Sequence, residues 1–242
     1  MSRVGIDAGA SLWKVVRIGE SLEMESLPAG AVEEVRRRMD GWSPERVHVT
    51  GGGAARIAAI AARLDRAQVR HVSEFEAWAR GAPVLAGRAG WTLPERYLLV
   101  SLGTGTSVLE IDCGDEGVTV QRIGGSALGG GTLMGLARLL CSAESFAEAA
   151  ELASRGERGR VDLLVGDVYP EGDIALDPRL TASNFAKLAS RKPADLAHAL
   201  MGLLGENIGI ACAAMAHARQ SRPWCSAAAP WRAIPRSRRF CG

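Results

Sequence analysis

Hydrophobic and polar positions along this chain fall into two successive runs that share a theme. Residues 3–8 (RVGIDA) and 12–18 (LWKVVRI) are apolar stretches of strand length. Between them Asp7, Ala8, Gly9, Ala10 and Ser11 make a tight turn of small residues, so the pair is predicted as a β-hairpin. A polar helix is expected over 31–39 and a strand over 46–50 (RVHVT). Gly51–Gly53 then open an alanine-rich helix over about 54–64, a short strand follows at 68–72, and a helix is expected over 74–86. Strands alternating with helices in this way predict an α/β layout.

The second run repeats the opening of the first. A buried-type strand at 96–102 (RYLLVSL) leads into the turn Gly103–Ser107 (GTGTS), followed by strands at 107–112 and 118–123. The glycine-rich stretch Gly124–Gly131 (GGSALGGG) is read as a loop, and a helix is expected over about 132–141. Residues 144–155 and 193–218 carry helical patterns, and 156–181 read as a longer polar connection. Both runs therefore begin with a hairpin whose turn is built from Gly, Ala, Ser or Thr, the chain's one internal repeat.

Composition fits a folded protein: apolar residues make up 47 % and charged residues 23 % of 242, which excludes disorder and coiled coil for the whole. No uninterrupted apolar run of the length a membrane span needs is read from the sequence, and no secretory leader pattern opens it. The five cysteines (Cys113, Cys141, Cys212, Cys225, Cys241) show no CxxC pair or zinc-like spacing, the pattern of reduced thiols in a cytoplasm. Glycine is in excess, 29 residues, so much of the backbone must turn sharply or approach something closely. The net charge of +2 is uneven: five of the 29 basic residues (Arg222, Arg232, Arg236, Arg238, Arg239) lie beyond Gln220 with none of the 27 acidic ones. Up to Gln220 the balance is 24 to 27, a net of −3, so the positive charge belongs to the tail. A nucleic-acid binder would be basic over a whole face, and no nucleic-acid or membrane partner is expected.

Small-residue turns after buried strands suit phosphate, because backbone N–H groups can point into an anion without β-carbons in the way. Asp7 lies at the first turn, where a carboxylate beside incoming phosphates makes sense through Mg²⁺. A glycine turn between strands is commonly structural, and two such turns plus a third glycine cluster are what carry the nucleotide reading. There is no GxxxxGK[ST] and no GxGxxG, so P-loop and Rossmann readings fail. The histidines (His48, His71, His198, His217) are scattered without ligand spacing. Apolar positions at helical intervals in 194–218, among them Met201, Leu203, Leu204, Ile208 and Ile210, fit core or dimer packing.

Taken together, GIDAGASLWK (5–14), VTGGGA (49–54), SEFEA (73–77), VSLGTGTS (100–107), RIGGSALGGGTLMGL (122–136) and DLLVGDVYP…LTASNF (162–185) resemble, in this order, type II pantothenate kinases of the actin/hexokinase/Hsp70-like ATPase superfamily. The resemblance covers about residues 3–219, and its specificity lies in the combination. It implies an α/β fold of two actin-like (ribonuclease H-like) domains closing over a nucleotide. These would be an N-terminal domain at 1–92 and a C-terminal domain at 93–219, the latter incomplete, with an aberrant tail at 220–242. The activity implied is ATP-dependent phosphorylation of pantothenate with Mg²⁺, in the cytoplasm, by a homodimer open to regulation by acyl-CoA.

The resemblance also implies roles. Asp7, Ala8, Gly9, Ala10, Ser11, Leu12, Trp13 and Lys14 would form the first phosphate loop, with Asp7 toward Mg²⁺ and Lys14 near the phosphates. Thr104, Gly105 and Thr106 would form the second, and Gly130, Gly131, Thr132, Leu133 and Met134 would open a helix against the nucleotide, its N-terminal amides facing phosphate. Phe146 falls where an aromatic lies beside the nucleotide, and equally suits a packed core. Glu74 would be the general base for the substrate hydroxyl; a glutamate opening a helix can also serve the helix's own amides, and the SEFEA context favours the base. Arg122, with Ser101, would hold the substrate's carboxylate, a task that suits a planar fork of donors; a surface arginine is the plainer alternative.

The chain departs from the family at Ala10, Ser11, Glu76 and Ala127, none of which removes a catalytic group. The tail departs further. Where a strand and a Gly-Gly-Ser turn are expected after the helix at 194–218, the chain reads SRPWCSAAAPWRAIPRSRRFCG, without strand or helix period. Reading GC-rich codons for 223–229 out of phase allows the missing strand and turn, so a frameshift near residue 220 is the expectation. Alternatives are a sugar-type kinase of the same superfamily, a truncated inactive chain that binds nucleotide or an acyl-CoA, or a tail that contacts an acidic partner or nucleic acid.

Overall fold

The structure, a computed structural model, describes residues 2–62, 68–115, 117–169 and 173–219, and 224–228 as backbone. The chain divides into two compact units, Met1–Arg96 with Ile111–Arg122, and Tyr97–Glu110 with the chain from Ile123 onward. The sequence places its break between 92 and 93, a few residues earlier.

The first unit opens with β1 (Arg3–Ala8), β2 (Leu12–Ile18) and β3 (Leu22–Pro28), followed by α1 (Val32–Trp42), β4 (Arg46–Thr50), α2 (Ala54–Ala61), β5 (Gln68–His71) and α3 (Glu74–Arg88). The sheet runs β3-β2-β1-β4-β5. Hairpins make β1, β2 and β3 antiparallel, whereas helical crossovers make β1, β4 and β5 parallel. Alternation decides the faces: Val4, Ile6 and Ala8 of β1, Trp13 and Val15 of β2, and Val47 and Val49 of β4 are buried in one core with Val35, Met39 and Ile57. Asp7, Lys14 and Thr50 consequently share the opposite face. The expected helix at 54–64 ends at Ala61, and 63–67 lie outside the described residues.

The second sheet repeats the pattern with β6 (Arg96–Leu102), β7 (Thr106–Gly114) and β8 (Gly117–Ser126), of which Ile111–Gly114 and Gly117–Arg122 group with the first unit. Then come α4 (Gly130–Cys141), α5 (Phe146–Ser154), β9 (Leu163–Leu164), α6 (Val165–Val168), β10 (Thr181–Ser183), α7 (Pro193–Ala218) and β11 (Trp224–Ala228). This sheet runs β11-β6-β7-β8, the order of the first sheet's β4-β1-β2-β3. Three corrections to the sequence reading arise here. β8 continues through Gly124 and Gly125 to Ser126, and α4 starts at Gly130, so the loop shrinks to 127–129. The connection at 156–181 holds a 3₁₀ turn at Arg158–Arg160, the β9–β10 pair and one turn of helix rather than loop alone.

The third correction concerns the tail. Trp224–Ala228 form a strand parallel to β6, in register from Trp224↔Leu98 to Ala228↔Leu102. A strand at this position is held to β6 by main-chain N–H and C=O groups, which every residue but proline carries in full, so the pairing needs no alternating side-chain pattern. Sequence period therefore misses it. A strand thus stands at 224–228 where the sequence shows no strand period; the rest of the tail expected to be aberrant, 220–223 and 229–242, lies outside the described residues.

α7 is the one helix among the described residues long and apolar enough, by length and composition, to cross a membrane. Its apolar content comes from positions four apart: Leu196, Leu200, Leu204, Ile208 and Cys212 are buried with Leu98, Val100, Leu133 and Ala137, which makes this stripe the core face of the second unit.

Candidate active site

In the first unit the register sets three side chains in one row. Lys14 stands opposite Asp7 across the hairpin, and Thr50 stands beside Asp7 on the parallel side. Lys14 Nζ donates to Asp7 Oδ2 at 2.8 Å. Asp7 Oδ1 is buried and has no hydrogen-bond partner among the described residues. Gly51, at φ +85°, lies against this end of β1: a β-carbon there would fall 2.7 Å from the Ala8 carbonyl oxygen and 2.8 Å from Asp7 Oδ1. Only glycine fits that conformation and that space. The Gly53 N–H donates to the Ala8 carbonyl at 2.9 Å, fixing the glycine turn to the strand.

α3 brings in the carboxylates of SEFEA. Ser73 caps the helix, its hydroxyl accepting from the Glu76 N–H at 3.1 Å. Glu76 is paired in turn with Arg80 at 3.0 Å. With capping done by Ser73, Glu74 is left without a hydrogen bond or ion pair among the described residues. Glu74 is an exposed side chain; its carboxyl is shifted upward from the ordinary glutamate value, first by the partial desolvation that neighbouring groups impose and then by repulsion from Asp7, with Lys14 pulling the other way. The plainer role open to Glu74, serving the helix amides, is thereby filled by another residue.

The rest of the first loop divides by exposure. Gly9 is packed closely, since a β-carbon there would fall 2.8 Å from the Leu12 carbonyl oxygen. Ala10, Ser11 and Leu12 are exposed, whereas the side chains of Ala8 and Trp13 are core residues. Trp13 thus anchors the turn by its ring, and only its backbone is available to a ligand.

In the second unit the turn after β6 is gripped by the glycine segment. β-Carbons on Gly129 and Gly131 would fall 2.6 Å from Gly105 Cα and 2.8 Å from Thr104 Cγ2. The first two amides of α4 do not stand open to an anion as the sequence suggests: Gly130 N–H donates to the Gly103 carbonyl at 2.8 Å and Gly131 N–H to that of Thr104 at 2.9 Å. Thr106 is buried and its hydroxyl donates to the Leu128 carbonyl at 2.7 Å; the Thr132 hydroxyl donates to Ala127 at 3.0 Å. These hydroxyls hold the loop. Leu133 is a core residue, Met134 is half-buried, and Phe146, first in α5, packs against the same core. Ser101 is half-buried on β6, and Arg122 is exposed on β8 with no ion-pair partner among the described residues.

The sequence reading gives no role to Thr50, Gly51 or Gly129. The signal for Gly51 is the triple glycine after a strand; for Gly129 it is the run of three glycines, of which the family resemblance assigns a role to the last two. Among the described residues no three His, Cys, Asp or Glu side chains gather as a metal site. Asp7, a hard carboxylate donor at the first turn, fits a Mg²⁺ that arrives with phosphates and keeps most of its own waters, through the Oδ2 that Lys14 holds here.

Two sheets of the same strand order, each with a close-packed small-residue turn after its first strand, define an actin-like ATPase fold. The Fumble family model matches residues 20–222. A type II pantothenate kinase of Oceanobacillus iheyensis is 33% identical over 213 residues, 86% of this chain and 76% of that protein. One of Bacillus cereus is 29% identical over 214 residues, 85% of this chain and 74% of that protein. Pantothenate kinase 1 of Arabidopsis thaliana is 40% identical over 123 residues, 47% of this chain and 31% of that protein. Among solved structures, a glucokinase of Balamuthia mandrillaris bound to glucose aligns over 93% of this chain and 79% of its own at 13% identity, with a TM-score of 0.49. The chain belongs to the type II pantothenate kinase (Fumble) family.

Proposed function

We propose that this protein transfers the γ-phosphoryl group of ATP to the primary hydroxyl of pantothenate, the first step toward coenzyme A. The observation that carries the reading, beyond family membership, is an unpaired Glu74 whose carboxyl is raised beside Asp7 and Lys14. Glu74 takes the proton of the attacking hydroxyl, and a raised carboxyl is a better base for it. Lys14 faces the transferring phosphates, and Asp7 would hold Mg²⁺, which supplies charge neutralisation when bound. Arg122, with Ser101, takes the pantothenate carboxylate, and the second loop from Thr104 to Thr106 holds phosphate through its backbone, with Gly129–Thr132 packed against it. Phe146 beside the base of ATP, a homodimer, regulation by acyl-CoA and a cytoplasmic location are carried over from the family resemblance. Free thiols at Cys113, Cys141 and Cys212 agree with that location.

The test is ATP-dependent phosphorylation of pantothenate by the purified chain with Mg²⁺. It is run beside Glu74→Gln and a chain carrying the out-of-phase strand and Gly-Gly-Ser turn in place of the tail. Turnover in the chain, lost in Glu74→Gln, is the expected result, with higher turnover in the restored chain if the tail is a frameshift. A folded chain that phosphorylates no pantothenate in either form overturns the reading.

A further inference from the structure

The carboxylate of Asp7 is split between two neighbours. Its Oδ2 is turned toward β2 and accepts from Lys14 at 2.8 Å. Its Oδ1 is turned toward the end of β4, close enough to Gly51 that a β-carbon there would fall 2.8 Å away. On that side the next side chain in the row is Thr50, in parallel register with Asp7 and therefore on the same face. Thr50 is 8% exposed, and among the described residues its hydroxyl has no hydrogen-bond partner. An unpaired acceptor and an unpaired donor thus stand side by side on adjacent strands, both shut off from solvent. Buried polar atoms are nearly always paired, so two orphans in one row call for an explanation.

We propose that Thr50 is a positioning residue for Asp7: when phosphate draws Lys14 off the carboxylate, the Thr50 hydroxyl donates to Asp7 and holds it in place. The inference rests on the kinase reading for what draws Lys14 away. Geometry supplies the rest. Lys14 and Thr50 flank Asp7 from opposite sides, and each can donate to a carboxylate that only accepts. In the resting chain the lysine makes that contact and the threonine does not. With the lysine engaged elsewhere, Asp7 would otherwise be a buried carboxylate free to turn, and Thr50 is the neighbouring side chain able to donate on the β4 side. Valine at this position would keep the shape and β-branching that suit a strand while removing the donor.

A double-mutant cycle on the full-length chain without ligand tests this apart from any activity. With Lys14 present, Thr50→Val should leave the thermal midpoint unchanged or higher, because it removes an unsatisfied hydroxyl. In the Lys14→Met background, where the hydroxyl has taken over the carboxylate, the same change should lower the midpoint by about 2–4 °C. Thr50→Ser should lower it less in that background. In turnover, Thr50→Val should lower kcat by about tenfold at unchanged KM for pantothenate, with Thr50→Ser restoring most of it. A lower midpoint for Thr50→Val with Lys14 present would mean the hydroxyl is already bonded in the resting fold. That result, or no effect of Thr50→Val in the Lys14→Met background, overturns the proposal. A folded chain without turnover would overturn the kinase reading and leave the melting cycle to decide the role of Thr50.

Discussion

The two units use one strand order to build two unlike turns. After β1 the turn is bordered by ionisable side chains: Asp7 paired with Lys14, and Glu74 close enough to feel both. After β6 the corresponding turn and the segment packed on it, residues 103–106 and 126–132, contain none at all. There the backbone is drawn together by glycines that a methyl group would push apart and by threonine hydroxyls bonded to carbonyls. Hydrogen-bonded hairpins and crossovers recur because they depend on main-chain groups, which every residue carries. Charge depends on side chains, and it has been placed on one copy only. Under the proposed reading the first turn does the proton and phosphoryl chemistry and the second grips through its backbone.

Glu74→Gln puts the most weight on that division. It keeps size and hydrogen-bonding capacity, leaves the Ser73 cap untouched, and removes the base. Turnover should fall by about 10²–10⁴-fold, measured as kcat/KM, with nucleotide affinity nearly unchanged. A variant retaining full turnover would break the comparison by showing the charged turn to be dispensable. Gly129→Ala tests the other side. Its methyl would meet Gly105 Cα at 2.6 Å, a backbone atom that must move. Displacing the grip should cost about 10²-fold in kcat/KM and about 1–3 kcal/mol of stability, with the loss in affinity for ATP larger than that for pantothenate. An equal loss for both substrates would argue that the second turn does more than hold nucleotide.

A smaller effect should separate grip from packing. Thr106→Val keeps the buried volume and deletes the donor to Leu128, leaving that carbonyl unpaired. Stability should drop by about 1–3 kcal/mol in a denaturant titration, while turnover at saturating ATP should change less than that of either variant above. If Thr106 instead touched phosphate, as the sequence suggests, turnover would fall as far as in Gly129→Ala.

Most of the fold is legible in the sequence because alternation and glycine punctuation report local geometry. The two hairpins, the paired helices after them and α7 are read close to their observed limits. What escapes is set by contacts between distant segments. β11 exists because β6 offers main-chain groups beside it, which no period within WCSAA announces. The first turn of α4 is drawn onto the loop by Gly103 and Thr104 carbonyls, so glycines 130 and 131 become helix rather than loop. For the site, Asp7, Lys14 and Glu74 are visible as a charged set, but the capping duty of Ser73, the core burial of Trp13 and the row shared by Asp7 and Thr50 appear only once strands are in register. The bonds that hold the second loop are likewise invisible: nothing in the sequence announces that the Thr106 and Thr132 hydroxyls donate to the carbonyls of Leu128 and Ala127.

The smallest effect concerns pH and sharpens the electrostatic side of the comparison. Glu74 must be ionised to accept a proton, so kcat/KM falls as pH drops through the value of its carboxyl in the free protein. Desolvation and Asp7 raise that value and Lys14 lowers it, so removing the lysine should raise it further. Lys14→Met should therefore shift the acid limb of kcat/KM toward neutral pH, beyond any uniform loss of rate; an acid limb unmoved by the substitution would show that Glu74 does not feel Lys14. Stability carries the opposite sign. A carboxyl raised in the folded chain binds its proton more tightly there than in the unfolded chain. Its contribution is fully present below the ordinary glutamate range and is lost as pH rises through the raised value. Glu74 is exposed, so solvent screens most of that cost at neutral pH, and Glu74→Gln should melt no lower than the parent chain at pH 7. Below the ordinary glutamate range that advantage should vanish, because the parent then carries a neutral side chain too.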